Sequence, residues 1–230
     1  MTAAARENAI DESGGAACRG NPQTRAALMD AAQRVLDRKN IMEATVDDFV
    51  CEAGVARGTF YIYFKDKYDV LSALARRLND DLFSQSHATI DRHAPASARI
   101  RESLRRVIQT WEEHGGFFRS MTQMSLSRPD FLALNQELRQ PFIRQIQRDL
   151  ESSMARGHAK PIDAAVAAKA LAAMMDWFCL LWFGLSEPPY EGAERDVDHV
   201  TDQLALLWYR AVYGHDPPGE TAASVVQATE

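Results

Sequence analysis

Residues 45–68, TVDDFVCEAGVARGTFYIYFKDKY, contain two short helical patterns on either side of a glycine. Thr45 is a typical N-cap, because its hydroxyl can accept a hydrogen bond from a backbone N–H that has no partner inside the helix. The apolar residues after it recur at helical spacing and predict one buried face: Val46, Phe49, Val50 and Ala53. Gly54 can adopt the left-handed conformation that ends a helix. A second helix with three inward-pointing apolar residues follows: Val55, Phe60 and Phe64. The stretch therefore predicts a helix-turn-helix.

The second helix leaves a polar and aromatic set facing outward: Arg57, Gly58, Thr59, Tyr61 and Tyr63. Exposed tyrosine rings cost free energy in water, so this face is expected to meet a partner surface. Hydroxyl and ammonium groups, including that of Lys67, donate hydrogen bonds to phosphate oxygens, and a glycine lets a helix approach nucleic acid closely. The alternative is an ordinary helical hairpin with half-buried tyrosines, because the same motif occurs in bundles that bind no DNA.

The string GVARGTFYIYFKDKYDVL (54–71) resembles the recognition segment of the TetR family of bacterial transcription regulators, and TRAALMDAAQRVL (24–36) resembles that family's first helix. The resemblance implies phosphate contacts from four residues: Thr45, Tyr61, Tyr63 and Lys67. It places three others nearest the bases: Arg57, Gly58 and Thr59. Ala56 stands where the family usually has serine or threonine, so a capping hydroxyl is expected to be missing. Ile62 stands where a polar residue is frequent; it can contact a thymine methyl or pack.

Composition and charge agree with a small, specific DNA-binding unit. The chain has 230 residues, of which 46% are apolar, so it is long enough for one or two compact domains. Its net charge is −6. Residues 19–67 carry 8 Lys/Arg against 7 Asp/Glu, whereas residues 68–230 carry 17 against 22. This distribution favours sequence-specific binding through few contacts over a broad basic patch. The three cysteines have no paired spacing, so neither a zinc site nor a disulfide framework is predicted, and a reducing cytoplasm is the expected compartment. No cofactor is expected.

The chain outside the motif shows helical periodicity and no strand pattern. Helices are predicted over about 22–38, 66–92, 98–114, 116–125, 129–156, 162–186 and 193–213. The fold class is therefore all-α, with an N-terminal three-helix helix-turn-helix DNA-binding domain (22–67) and a C-terminal helical ligand-binding and dimerisation domain (68–213). Residues 1–21 are expected to form a disordered arm and residues 214–230 a flexible tail. The longest apolar run, Trp177–Leu185, is too short to span a bilayer, so no membrane partner is expected.

The segment 163–185 is apolar around nearly its whole circumference. One stripe consists of Leu171, Met175, Phe178, Trp182 and Leu185, and another of Val166, Ala170, Ala173, Trp177 and Gly184. A helix of this kind has to be covered on both sides. The expected cover is a second copy of the chain, with four interface residues on this helix and the next: Trp182, Leu204, Leu207 and Trp208. The alternative is a monomer in which both stripes are internal.

Aromatic and methionine side chains in the middle of the chain predict a hydrophobic ligand site. The residues expected to line it are Trp111, Phe118, Met121, Met124, Phe142, Met175, Asp176 and Phe178. Each apolar residue taken singly is as consistent with ordinary core, and Asp176 could instead make a structural hydrogen bond, because a buried carboxylate needs a partner. This part of the chain also resembles the ethionamide-resistance branch of the family, in the turn WEEHGGFFRSM (111–121) and in the ending Phe183-Gly184.

Together these patterns predict a homodimeric repressor that leaves a pseudopalindromic DNA operator when a hydrophobic small-molecule effector binds. No nucleophile, metal cluster or acid–base pair converges, since Glu112, Glu113 and His114 occupy consecutive helical positions that point apart, so no enzyme is predicted. Two alternatives stay open. One is an all-α small-molecule-binding protein or enzyme without DNA binding, and the other is a DNA-binding regulator controlled by a protein partner.

Overall fold

The computed structural model describes residues 21–89, 94–185 and 196–218, and it describes side chains throughout these ranges except in 82–89. The helices are α1 Pro22–Arg38, α2 Val46–Ala53, α3 Arg57–Tyr63, α4 Lys67–Thr89, α5 Ala96–Ser127, α6 Pro129–Ala155, α7 Ala164–Cys179 and α8 Val197–Tyr213. A π-helical turn, Leu180–Gly184, extends α7. Every regular element in these ranges is helical, which confirms the all-α class. The predicted arm and most of the predicted tail lie outside the described residues.

Helices α1 to α3 form a small unit, which we call the head (residues 22–67). Thr45 caps α2 as predicted: its Oγ1 accepts a hydrogen bond from the Asp48 amide, and the Asp48 carboxylate accepts one from the Thr45 amide. Gly54 ends α2 with φ 67°, in the left-handed region that favours glycine. Phe49 and Phe60 are fully buried and Phe64 nearly so, so the two inward faces predicted from periodicity are confirmed.

The head packs directly on the rest of the chain, which we call the body (residues 68–213). The apolar cluster of the head continues through α4 into side chains of α5 and α6: Phe117, Met121, Met124, Phe131 and Leu134. The head therefore sits on a continuous apolar contact with the body. The domain boundary at residue 67 stays a prediction, although α4 does begin at Lys67, behind an N-capping Asp66 that accepts from the Tyr68 and Asp69 amides.

Helix α5 runs through the position where the sequence predicted two helices. It is a single element with a kink at His114, whose φ of −131° and ψ of 26° are not helical. The next two residues are glycines that pack against other parts of the backbone. The predicted break is thus present as a bend, because the neighbouring hydrogen bonds keep the helix continuous on both sides.

The body consists of two helix pairs around a second apolar cluster. Helix α5 packs on α8 and on the π-helical turn, and α6 packs on α7. Arg101 and Arg105 of α5 pair with Asp202 and Asp198 of α8, which holds these two helices in register at their exposed edge. Asp163 caps α7 by accepting from the Ala165 and Val166 amides.

The stretch from Ala164 to Gly184 is the apolar helix that the sequence identified. It is 21 residues long and, by length and composition alone, long and apolar enough to cross a membrane. The apolar segment is therefore longer than the run Trp177–Leu185, since the alanines before that run extend the apolar surface. Core helices of soluble proteins meet the same criterion, and this one packs on α5 and α6 through one side. Only 39% of it is buried within the chain, so much of its apolar surface still needs a cover.

Candidate nucleic-acid and effector sites

The N-terminal half of α3 and the residues that follow form an open surface, which we call the reading face (Arg57, Gly58, Tyr61 and Ile62). Tyr61 is 51% exposed and Ile62 is 60% exposed. A Cβ added to Gly58 would have no other protein atom within 4 Å. A helix that keeps a large aliphatic side chain, a tyrosine and a glycine in solvent has the shape and chemistry of a helix that docks on another surface.

The guanidinium of Arg57 is already engaged within the head. Its Nη1 donates to both carboxylate oxygens of Asp47, at 2.6 and 2.5 Å, and its Nη2 lies 3.4 Å from the Tyr61 hydroxyl. The hydrogen bonds that the guanidinium donates to Tyr61 and Asp47 raise the pKa of Arg57, so this group is a fixed positive charge. The pairing with Asp47 was not foreseen; its sequence signal was an acidic residue in the first turn of α2, ten positions before the arginine.

The residues expected at the phosphates have unequal exposure. Thr45 is exposed, and its hydroxyl donates to the Asp48 carboxylate at 2.8 Å. Tyr63 is half-buried and packs on the core of the head, whereas Tyr61 is exposed. Half-buried tyrosines are what an ordinary helical hairpin without DNA binding would also show. Thr59 is half-buried as well. These phosphate and base contacts stay predictions.

Lys67 has a structural role that the sequence did not suggest. Its Nζ donates to the carbonyls of Met42 and Ala44, at 3.1 and 2.8 Å, and so ties the loop between α1 and α2 to the start of α4. An ammonium has three donors, so one remains for a phosphate. Lys67 therefore supports the edge of the reading face whether or not it contacts DNA.

Ion pairs neutralise most of the charge around the head. Arg34 and Arg38 both donate to Glu52, and Lys39 donates to Asp48 at 2.6 Å. The hydrogen bond from Lys39, together with those from Thr45, lowers the pKa of the Asp48 carboxyl to about 2. Four of the cations in the described part of the head, Arg34, Arg38, Lys39 and Arg57, are thus paired with carboxylates, which agrees with recognition by a few directed contacts.

Ala56 precedes α3 and makes no side-chain capping hydrogen bond, as its departure from the family pattern led us to expect. The first turn of α3 consequently leaves its backbone N–H groups without a side-chain cap. Thr59 donates its own amide to the Ala56 carbonyl at 2.9 Å.

The residues assigned to a dimer interface require a correction. Trp182, Leu204 and Trp208 are 5%, 8% and 6% exposed in the single chain, so they form its core and have almost no surface left for a partner. Leu207 alone of the four is exposed, at 50%. Both stripes of the apolar helix are hydrophobic, and the packing of α6 on α7 and of α5 on the π-helical turn decides which of them is covered.

The second stripe of that helix is the one that faces solvent, and we call its exposed members the outer stripe (Val166, Ala170, Ala173 and Trp177). Val166 is 63% exposed and Trp177 59%, and both alanines are exposed. Leu207 of α8 is a further large apolar side chain that is exposed in the single chain. The sequence had identified these positions as a stripe but had not chosen them as interface residues.

The residues expected to line a ligand site fall into two groups. Met121 and Met124 lie in the cluster that joins head and body, whereas Trp111 and Met175 lie in the core of the body, with Phe142 and Phe178 packed against it. Phe118 packs against both clusters, and its ring stacks on Trp111 with centroids 4.2 Å apart. The eight residues thus do not line a single cavity, and Met121 and Met124 of α5 pack at the contact between head and body.

Asp176 has a partner that the sequence did not identify. Its carboxylate pairs with the guanidinium of Arg139 on α6, and both side chains are about two-thirds buried. Burial lowers the pKa of Arg139. The pair gives the partly buried carboxylate an opposite charge, which it needs because an isolated buried carboxylate would be costly. Arg139 also lines a cleft of about 400 Å³ between α6 and α7, together with Lys169.

Comparison with known proteins relates both halves of the chain to bacterial regulators. Residues 28–74 match the family described as "Bacterial regulatory proteins, tetR family". Residues 100–214 match "Transcriptional regulator EthR, C-terminal domain". The HTH-type transcriptional regulator EthR of Mycolicibacterium smegmatis is 27% identical over 199 residues, which span 84% of this chain and 88% of that protein. The HTH-type transcriptional repressor LfrR of the same organism is 38% identical over 88 residues, which span 38% of this chain and 43% of that protein.

Solved structures share the fold. A TetR-family transcriptional regulator from Streptomyces coelicolor superposes with a TM-score of 0.68 at 20% identity, over 91% of this chain and 96% of that one. A bacterial regulatory protein in the tetR family from Rhodococcus RHA1 superposes with a TM-score of 0.69 at 17% identity, over 84% of this chain and 98% of that one.

Proposed function

Because the chain belongs to the TetR family of bacterial regulatory proteins and is a transcriptional regulator, we propose that it acts as a homodimeric repressor. The dimer binds a pseudopalindromic operator through its two reading faces. A hydrophobic small molecule that binds in the body releases it. The observation that carries this proposal is the open reading face on α3, where the fold leaves Gly58, Tyr61 and Ile62 without intramolecular cover.

The proposed DNA contacts divide into base and phosphate contacts. Arg57, Gly58 and Thr59 begin α3, the position from which a recognition helix reaches base edges in the major groove. To read a base, Arg57 has to exchange Asp47 for a guanine edge, and this exchange limits its affinity for DNA of random sequence. Tyr61, Thr45 and the free donor of Lys67 surround this point and are proposed to hold phosphates, with Tyr63 at the margin.

The proposed dimer interface is the outer stripe together with Leu207. Small alanines between Val166 and Trp177 let a second helix approach closely, and the exposed tryptophan supplies the kind of large apolar anchor that dominates interface energies. A twofold interface brings the same surface from both copies together, so the two α7–α8 pairs form a four-helix arrangement. Trp182, Leu204 and Trp208 support it from inside each chain.

The proposed effector site lies among α5, α6 and α7, where aromatic side chains are partly exposed beside the core of the body. Trp111, Phe118, Phe142 and Phe178 supply flat apolar walls around Met175, and the Arg139–Asp176 pair supplies a polar end. Phe118 also touches the cluster that joins head and body, so a ligand that moves its ring acts on both. An effector can shift the protein between states only by its difference in affinity for them.

Footprinting on the DNA that flanks the coding sequence tests the proposal. The expected result is protection of two half-sites in successive major grooves, about 34 Å apart, by the dimer. Protection should be lost when a lipophilic compound that raises the melting temperature is added. A set of fatty acids and lipophilic aromatic compounds serves as the probe. If protection occurs but no compound in the set affects it or the melting temperature, control by a protein partner becomes the better explanation. If no DNA is protected, an all-α small-molecule-binding protein or enzyme without DNA binding becomes the better explanation.

A further inference from the structure

The C-terminal turn of α1, the kink of α5 and the π-helical turn meet at one point, which we call the junction. The side chain of Arg119 spans it. Its Nη2 donates to the carbonyl of Leu36 at 3.3 Å, and its Nη1 donates to the carbonyl of Gly184 at 3.2 Å. Leu36 belongs to the head and Gly184 to the body, so one guanidinium connects the end of the first head helix to the end of the apolar helix.

Two glycines make this close approach possible. A Cβ on Gly116 would lie 2.3 Å from the Leu36 carbonyl oxygen and 2.7 Å from Cα of Asp37, and a Cβ on Gly115 would lie 2.6 Å from the Phe183 carbonyl oxygen. The obstructing atoms are backbone, which cannot rotate aside. The glycines are therefore required for space: a side chain at Gly116 would clash with α1 of the head, and a side chain at Gly115 would clash with the π-helical turn.

The position of Arg119 is not explained by solvation. Its Nε is buried and has no hydrogen-bond partner among the described residues, which costs free energy. In return the two Nη groups satisfy carbonyls at helix ends, where backbone oxygens have no partner of their own and the helix dipole favours a positive charge. The apolar cluster around the junction holds the head and body together, but apolar contact is non-directional. The two hydrogen bonds of the guanidinium are directional, so they restrict the orientation of the head relative to the body.

We propose that Arg119 is a positioning residue that sets the orientation of the head on the body and transmits movement of the π-helical turn to α1. The turn follows directly on the proposed effector side of α7, and α1 packs against α2 within the head. A ligand that displaces Gly184 therefore moves the anchor of the head. The transmission rests on the proposed function, but the orienting role is a property of the single chain.

A distance measurement between head and body tests the orienting role. Cys51 is exposed on α2 and takes a nitroxide label, whereas Cys179 is buried, which raises the pKa of its thiol to about 12 and protects it from labelling. The labelled protein carries Cys18→Ser and a second label at Ser152→Cys, an exposed position on α6. Double electron–electron resonance then gives the distance distribution between the labels, in labelled chains diluted with unlabelled protein.

The wild-type chain and Arg119→Lys, which keeps a donor, are expected to give one narrow distribution at the same distance. Arg119→Met, which keeps the length and removes the donors, is expected to broaden or shift it. Gly116→Ala keeps Arg119 and pushes α1 directly, so it is expected to shift the distance too. If Arg119→Met gives the wild-type distribution in a folded protein, Arg119 does not position the head. Should that variant not fold, an unchanged distance in Gly116→Ala would overturn the proposal.

Arg76→Met is the matched control. Arg76 pairs with Glu137 at 2.7 Å and also connects α4 to α6, but both side chains are more than half exposed, so the pair contributes little. Its distance distribution is expected to stay at the wild-type value. The Arg76–Glu137 pair lies within the body, so equal broadening in the Arg76 and Arg119 variants would mean that the broadening does not come from the contact between head and body, and it would overturn the special role of Arg119.

Operator binding is measured separately from the distance between the two labels. With an operator identified by footprinting, Arg119→Met is expected to bind an isolated half-site as the wild type does and to lose its preference for one half-site spacing. Unchanged spacing preference despite a broadened distance would overturn the transmission step. If the chain protects no DNA at all, the proposed function fails, while the distance measurement still decides the orienting role.

Discussion

Gly58 occupies a helical position that the fold does not require to be glycine. Its backbone is not in the left-handed region, and a Cβ there would meet no other part of the protein. Glycine in a helix interior is unfavourable relative to alanine, so retaining it serves the approach of another molecule. The same reasoning does not apply to Gly54, whose φ of 67° makes a side chain strained.

Gly58→Ala should therefore separate stability from binding. We expect the free energy of unfolding to rise by about 0.5–1 kcal/mol, from the better helix propensity of alanine. Operator affinity should fall about tenfold, the scale of one disrupted base-pair contact. Urea unfolding measures the first quantity and fluorescence anisotropy with labelled operator the second. An alanine variant that binds the operator as tightly as the wild type would place Gly58 away from the DNA.

Asp48 gives the head a predictable response to acid. Its carboxyl pKa is lowered from 3.8 to about 2, first by the hydrogen bond from Lys39 and then by those from Thr45. A group whose pKa is lower in the folded state stabilises the fold above its unfolded pKa, and this stabilisation is lost as the pH falls through the folded pKa. The contribution is thus complete above about pH 4 and disappears towards pH 2.

Asp48→Asn should lower the melting temperature at about pH 6, because the charged partner of Lys39 is lost and an amide oxygen is a weaker acceptor for the Thr45 amide than a carboxylate. The difference from the wild type should shrink as the pH falls towards the folded pKa of about 2, where Asp48 is itself protonated. Thermal unfolding followed by circular dichroism across this range is the measurement. A difference that is the same at both ends of the range would show that the charge of Asp48 does not matter.

Among the elements, α7 with its π-helical turn carries the most unusual surface. One side is covered by the chain's own helices, and the outer stripe leaves Val166 and Trp177 more than half exposed. Exposed apolar area of this kind on one helix marks an interaction surface. Lys169 and Asp176 on the same helix do not interrupt the stripe, since they face the side towards α6.

Replacing Leu207 or Trp177 with glutamate should convert the dimer to a monomer, because a charge would be buried between the two copies without a partner. Analytical ultracentrifugation at micromolar concentration measures the change. Leu126→Glu is the matched control: Leu126 is 84% exposed, more than Leu207, but it lies near the end of α5 and outside the outer stripe. A dimer that survives both substitutions on α7 and α8 would exclude this interface.

For the whole molecule, the question is how a near-neutral head on an acidic body binds DNA specifically. With most charges of the head paired, a single head has few free cations for phosphates, so two heads held in register are needed for tight binding. The net charge of −6 then disfavours other orientations on the duplex. Specificity therefore depends on the geometry that the body imposes on the heads.

This dependence predicts a strong effect of spacing between half-sites. Insertion of about 5 bp at the operator centre places the half-sites on opposite faces of the duplex, since one helical turn is about 10–10.5 bp. We expect affinity to fall to that of an isolated half-site, whereas insertion of about 10 bp should restore part of it. Anisotropy titrations with the three duplexes provide the measurement. Equal affinity for all three would mean that the heads bind independently.

Much of the fold could be predicted from local patterns. Periodic apolar residues in α1 and α2, the cap at Thr45 and the helix-ending Gly54 act within a few positions of the chain, so their effect is visible in the sequence. Three of the five positions of α3 predicted to face outward are exposed, namely Arg57, Gly58 and Tyr61, whereas Thr59 and Tyr63 are half-buried. That this face meets DNA was implied only by the resemblance to the family.

The tertiary structure decided what depends on residues far apart in the chain. Both stripes of the apolar helix are hydrophobic, and the packing of α6 on α7 and of α5 on the π-helical turn buries Trp182 and leaves Trp177 outside. Arg139 finds Asp176, and Arg119 reaches Leu36, across long stretches of sequence that carry no pattern for either contact. The sequence by itself determined the helices, since these follow from local periodicity and capping, and it identified Arg57, Gly58 and Tyr61 of the reading face. Which surface is free for a partner, and how the head is held, follow only from the packing of distant elements.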